Sequence, residues 1–197
     1  MKGDKGFSLI EMIVAVGLFA IVMVICVGTL FALVNANRKA QGLQSVMNNL
    51  NITLDSMARS IRMGKNYHCG REGDLTQTRD CAAGDTLFEF EHYGGLSSFD
   101  DQWFYVFDTD GLVCGKNRIC KSELGGVNGS YYPLTSPEVT IDSLKFYAIG
   151  TARGSADPQN LQPKVVIVVK GTAAANNNRT KTTFHIQVGA TQRLIDL

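Results

Sequence analysis

Three groups of residues in this chain have the types and spacing to do chemistry. The first is Gly6-Phe7-Ser8-Leu9-Ile10-Glu11, placed directly before an uncharged run from Met12 to Val34. Cutting the peptide bond after Gly6 would expose a new amine on Phe7, four residues from the carboxylate of Glu11. The run is 23 residues long, and as a helix it covers roughly 35 Å against a hydrocarbon core of about 30 Å. It can span a bilayer. Glu11 sits at its edge, and a carboxylate in the bilayer centre costs about 3 kcal/mol or more. The amine of a neighbouring chain that starts at Phe7 would offset that cost. The alternative is a plain anchor whose glutamate snorkels to the interface.

The second group is the cysteines. Cys26 lies inside the apolar run and reads as a small packing residue, whereas Cys69, Cys81, Cys114 and Cys120 follow it. An even number outside the membrane points to disulfides and an oxidising compartment. The simplest pairing is local, Cys69 with Cys81 and Cys114 with Cys120, and free thiols are the alternative. A zinc site would need a Cys-x-x-Cys pair or a Cys/His register, and neither is present; His68 beside Cys69 is not enough.

The third group is cationic. Lys116, Arg118 and Lys121 lie on or beside the loop from Cys114 to Cys120 and could hold the phosphates of a nucleic acid. From Asn66 onward, however, 12 Lys and Arg face 15 Asp and Glu, so a chain of formal charge +1 carries a segment of net −3. That balance disfavours a general nucleic-acid binder. His68, His92 and His185 are scattered, and there is no Gly-x-Ser-x-Gly elbow, His-Glu-x-x-His pair or phosphate-binding glycine loop. The expectation is a protein that is not an enzyme and needs no cofactor or metal. Asp100-Asp101 beside Trp103 reads as a solvated strand entry, and the Asn-x-Ser/Thr matches at Asn51, Asn128 and Asn178 carry no weight.

Few elements are needed to position these residues. Val14, Val16, Ile21, Val22, Val24, Ile25 and Val27 are poor helix formers in water, but without water a helix is the way to satisfy each backbone group within the segment. A secretory signal is shorter, so Val34-Asn35-Ala36 only imitates its cleavage site. Beyond Asn35, Leu43, Val46, Met47, Leu50, Leu54, Met57, Ala58 and Ile61 recur at three and four, the stripe of an amphipathic helix. One continuous helix is therefore expected from Phe7 to Lys65, with Gly42 as either a tolerated glycine, the commoner case, or a soft joint, and Gly64 as its C-terminal cap. Cys69 to Cys81 reads as a charged surface loop.

Strand signals begin at Thr86. Phe88, Phe90 and His92 alternate with Leu87, Glu89 and Glu91 as on a half-exposed strand, and Gln102 to Phe107 is a second strand. Asp110-Gly111 predicts a hairpin turn into Leu112-Val113, though Asp108-Thr109-Asp110-Gly111 also imitates a fragment of a calcium loop. Ile141 to Ile149, Lys164 to Lys170 and Thr182 to Val188 complete the set, separated by polar loops at Gly154 to Pro158 and Ala175 to Arg179. A long helix followed by strands predicts an α+β fold, with an antiparallel sheet laid on the helix.

The glycine, phenylalanine, glutamate and long run stand in one register that resembles the class III signal of the type IV prepilin family. The resemblance implies a leader at 1–6, cleavage by a prepilin peptidase between Gly6 and Phe7, N-methylation of Phe7, and a role for Glu11 in subunit assembly. It implies a membrane and filament-core helix at 7–34, an amphipathic half at 35–65 and a β-rich head at 66–197. Its partners would be the peptidase, other pilin or pseudopilin subunits and an inner-membrane assembly platform. The head would lie outside the cytoplasm before entering a pilus or type II secretion-like filament. Many family members carry a proline inside the span, and this chain has none there. The stretch from Ser143-Leu144-Lys145-Phe146-Tyr147 through Gln162-Pro163 to Gln192-Arg193-Leu194 is also similar to minor pilins, in strand pattern more than in fixed residues. Some pseudopilins hold calcium and some related subunits serve DNA uptake, which would give Lys116, Arg118 and Lys121 their use.

Overall fold

The computed structural model describes residues 6–71, 77–92, 102–126, 130–152, 161–175 and 180–193. Asp100, Asp101, Asn128, Asn178, Leu194 and the expected Gly154 to Pro158 loop lie outside them. Two compact units divide between Gly42 and Leu43. The element order is α1 (Leu9–Met63), β1 (Lys65–Cys69), β2 (Leu87–Glu91), β3 (Gln102–Asp108), β4 (Arg118–Ser122), β5 (Tyr132–Pro133), β6 (Val139–Ile149), β7 (Lys164–Ala175) and β8 (Thr180–Thr191). This is an α+β architecture, one long N-terminal helix and two antiparallel sheets, of the pilin-like kind.

In the first unit α1 carries its apolar residues from Leu9 to Val34 fully outward. That helix is long and apolar enough to cross a membrane by length and composition. In the second unit the stripe forms as its spacing predicts. Val46, Leu50, Leu54, Met57, Ala58 and Ile61 are buried, with Leu43 and Met47 packed at the margin. At about 1.5 to 3 kcal/mol for each large side chain, this stripe is a main fastening of the helix to the sheets.

The helix ends differently from expectation, at Met63. Gly64 donates its N–H to the Ile61 carbonyl at 3.0 Å and is not in the left-handed region. A Cβ there would collide with the Phe90 ring, so glycine is needed for close approach. The left-handed residue is Asn66, with φ 55°, and β1 begins at Lys65 where the sequence suggested only helix and loop. β1 forms because Tyr67 and Cys69 are buried in the same core as Phe88 and Phe90.

The head holds two sheets where one was expected. The first runs β1-β2-β3-β4-β5 and the second β6-β7-β8, all neighbours antiparallel. The segment from Arg79 to Asp85 stitches them together. Arg79 exchanges backbone hydrogen bonds with β1, donating to Tyr67 and accepting from Cys69, while Cys81 donates to Ala148 and Asp85 pairs with Phe146 on β6. The part of the Cys69 to Cys81 connection that is described is therefore structural and not a free surface loop. β2 is also more enclosed than its alternation implied. All five of its residues are buried, because Phe88 and Phe90 face the helix while Leu87 joins a second cluster with Phe104, Val106 and Cys120 on the other side.

Candidate functional site

At the N-terminus, Gly6 and Phe7 precede the helix and are exposed; among the described residues, chain neighbours aside, no heavy atom lies within 4 Å of the place where a Cβ on Gly6 would stand. Ser8 caps α1. Its Oγ accepts the N–H of Glu11 at 3.3 Å, and its carbonyl accepts from Glu11 at 3.1 Å and Met12 at 3.3 Å. Ser8-x-x-Glu11 is thus the serine half of a capping box, a signal that the sequence reading passed over. The cap has two consequences. The Gly6–Phe7 peptide stays outside the helix. Glu11 falls in the first helical turn, where its charge meets the positive end of the helix dipole. The carboxylate therefore has a partial partner inside its own chain.

The cysteines in the head form two disulfides, Cys69–Cys81 and Cys114–Cys120, with Cα separations of 5.6 and 5.9 Å. Cys26 is free and exposed on the apolar helix. The first disulfide fastens β1 to the stitching segment beside the Phe146 carbonyl. Asp80 holds the same segment to the end of β6, accepting from Gly150 at 3.1 Å and from the N–H and hydroxyl of Thr151 at 2.8 and 2.6 Å.

The second disulfide closes a loop organised by Asp108. No hairpin turns at Asp110-Gly111 into a strand at Leu112-Val113; β3 ends at Asp108 and β4 starts only at Arg118. Asp108 is the reason. It is 3 % exposed; Oδ1 accepts the N–H of Gly111 at 2.7 Å, and Oδ2 those of Val113, Cys114 and Gly115 at 2.9, 2.8 and 3.0 Å. Four backbone donors spent on one side chain leave none for a strand ladder. Burial alone would raise the Asp108 pKa, but the donors from Cys114, Gly115, Gly111 and Val113 outweigh it and hold it at about 2. Asp108, Cys114 and Cys120 bring an oxygen and two sulfurs within 4.8 Å of one another. The sulfurs are spent on each other and the oxygens on N–H groups, so the cluster is not a ligand set for zinc or calcium.

The three cations proposed for phosphates do not converge. Lys116 is exposed, Arg118 is half-buried, and Lys121 is on the other face of β4, 8 % exposed. Its ammonium lies 3.5 Å from the Trp103 ring centroid and bonds Glu123 at 2.5 Å. That hydrogen bond lowers the Glu123 pKa against the effect of burial, with Tyr132 donating a second one at 2.9 Å. Lys121 is thus held between Trp103 and Glu123 with little of its side chain exposed. The histidines are equally dispersed. Buried His68 donates Nδ1–H to the Gln77 carbonyl at 2.7 Å, His92 stacks on Trp103 at 4.2 Å, and His185 is exposed on β8.

No curated protein and no solved structure matches the chain. The family model that does match covers residues 1–27 and describes the prokaryotic N-terminal methylation motif. Gly6, Phe7, the Ser8 cap and Glu11 all fall inside it. The chain carries at its N-terminus the class III signal peptide of type IV pilins and pseudopilins, joined to an exposed membrane-length helix.

Proposed function

We propose that this protein is a minor pilin or pseudopilin, a low-copy structural subunit of a type IV pilus or type II secretion-like filament. It is made as a single-pass precursor of the cytoplasmic membrane with the head outside. A prepilin peptidase cuts between Gly6 and Phe7 and methylates the Phe7 amine, and residues 7–34 move from lipid into the filament core. The observation that carries this reading is the methylation motif at residues 1–27, seated on a capped helix whose apolar side chains from Leu9 to Val34 are exposed. The amphipathic half at 35–65 then holds the head at 66–197. Two disulfides in that head fit an extracytoplasmic compartment. The protein is the substrate of the peptidase and a building part, with no reaction of its own.

Glu11 is the assembly residue in this scheme. The helix dipole supplies only a fraction of a positive charge, whereas a methylated Phe7 amine from an adjacent subunit supplies a whole one, and low dielectric strengthens their attraction. Glu11→Val in the producing cell should leave membrane insertion unchanged while removing the protein from sheared filaments. Incorporation at the wild-type level would refute the pairing role.

A further inference from the structure

The outward face of the second sheet gathers positive charge that the head's net value conceals. One face of β6, β7 and β8 is packed in the core through Leu144, Phe146, Ala148, Val165, Ile167, Val169, Phe184 and Ala190. The opposite face is open, and Lys145, Lys164 and Lys170 stand exposed on it. Among the described residues none of the three has an ion-pair partner. His185 lies directly across from Lys170, and Gln187 is two strands over from Lys145 on the same row. Among the described residues the one carboxylate on this face is Asp142, which accepts a hydrogen bond from Thr172 at 2.9 Å. Along the β8 border Arg62 reaches the Gly189 carbonyl at 3.4 Å, and its own carbonyl takes the N–H of Arg193.

Among the described residues, four acids of the head are withdrawn from this face. Glu89, Glu91 and Asp108 are buried in the first sheet, and Asp80 is committed to Gly150 and Thr151. Local charge governs contact with a polyanion within about a Debye length, roughly 10 Å in moderate salt. Among the described residues of this face three lysines stand against one carboxylate, so their local sum is positive.

The register sets the spacing. Lys170 pairs with Ser143, two residues from Lys145, and Lys164 pairs with Ile149, four residues from it. At about 3.3 Å per residue and 4.8 Å between strands, the lysines lie roughly 8, 14 and 20 Å apart. A strand of duplex DNA carries a phosphate about every 3.4 Å of axis, so a face of this length meets several. Thr183, Gln187 and Thr191, exposed among the cations, add neutral donors of the kind that hold phosphate oxygens. A single strand would need a row of aromatic rings to stack on. Among the described residues the one aromatic ring facing outward here is that of Tyr147, which lies over Gly84.

We propose that the outward face of the three-stranded sheet binds duplex DNA through its phosphate backbone, without sequence preference, with Lys145, Lys164 and Lys170 as the main contacts. The site belongs to the head and does not rest on filament assembly. The test is fluorescence anisotropy of a labelled duplex with the full-length protein in non-ionic detergent across a salt series. Three phosphate contacts give a slope of about −2.7 in log K against log salt, roughly a 40-fold loss between about 50 and 200 mM. The triple variant Lys145→Gln, Lys164→Gln, Lys170→Gln should lose at least about tenfold in affinity and most of that slope. The triple Lys→Arg variant should keep both, which separates lost charge from lost folding. Lys116→Gln with Arg118→Gln should bind as the parent does. Undiminished binding by the Gln triple overturns the proposal, as does dependence on Lys116 and Arg118 instead. Retention on phosphatidylglycerol vesicles without duplex binding would also overturn it.

Discussion

Oδ2 of Asp108 accepts the backbone N–H of Cys114 at 2.8 Å, so the acid that ends β3 also seats the first cysteine of the disulfide that returns the chain to β4. One side chain replaces a hairpin ladder, and its charge state is tied to the fold.

The pH dependence follows. The folded pKa of Asp108 is about 2, below its ordinary 3.8, so the ionised form contributes stability that is complete above about pH 4 and lost as pH falls towards 2. Thermal midpoints measured from pH 5 to 2 should fall in that window. Asp108→Asn should flatten this part of the fall and lower the midpoint at neutral pH by the equivalent of about 1 to 3 kcal/mol. An unaltered acid limb in the variant would show that other carboxylates govern it.

Gly64 and Phe90 give a second prediction. The Phe90 ring is fixed among Tyr67, Phe88, Trp103 and Tyr105 and cannot swing aside for a methyl group. Gly64→Ala should destabilise the head by about 1 to 3 kcal/mol by overpacking, although alanine is the better helix former. A neutral or stabilising effect in chemical denaturation would mean that Gly64 serves only to end the helix.

The two disulfides should differ. Their sequence separations are 12 and 6, and loop entropy alone assigns about 3 and a little over 2 kcal/mol. Cys69–Cys81 also joins β1 to the segment that pairs with β6, so its loss should loosen the seam between the sheets. Paired serine substitutions, compared by hydrogen exchange, should expose the Asp85 and Phe146 amides only when Cys69–Cys81 is removed. Equal exposure in both variants would separate the seam from the disulfide.

Lys121 gives a fourth prediction. Its contacts with Trp103 and Glu123 are internal to the head, so Lys121→Met should leave DNA affinity unchanged while removing a cation–π contribution of about 1 kcal/mol. A loss of duplex binding would return Lys121 to the surface role that its sequence position suggested.

These cases show what could be read from the chain before folding. The stripe from Leu43 to Ile61 was legible because helical spacing and apolar type coincide there, and the N-terminal register was legible because its chemistry is contiguous. β1 was not, because Lys65–Cys69 acquires its strand character from Phe88 and Phe90, some twenty residues away. The loop after Asp108 was misread because Asp-Gly is a local turn signal and the four donors that capture Asp108 come from the fold. Lys121 was assigned to phosphates because alternation along β4, which sends it to the face opposite Arg118, needs the strand boundaries first. The lysine face has no sequence motif; Lys145, Lys164 and Lys170 come together only through the β6–β7 register.

The Gly6–Phe7 boundary is the point on which the account turns, since the Glu11 pairing presupposes a new amine there. Mass spectrometry of the protein purified from its own cells tests it most directly. The account predicts a chain that begins at Phe7 and carries one added methyl group on its amine. An intact Met1, or a start near Asn37, would contradict it.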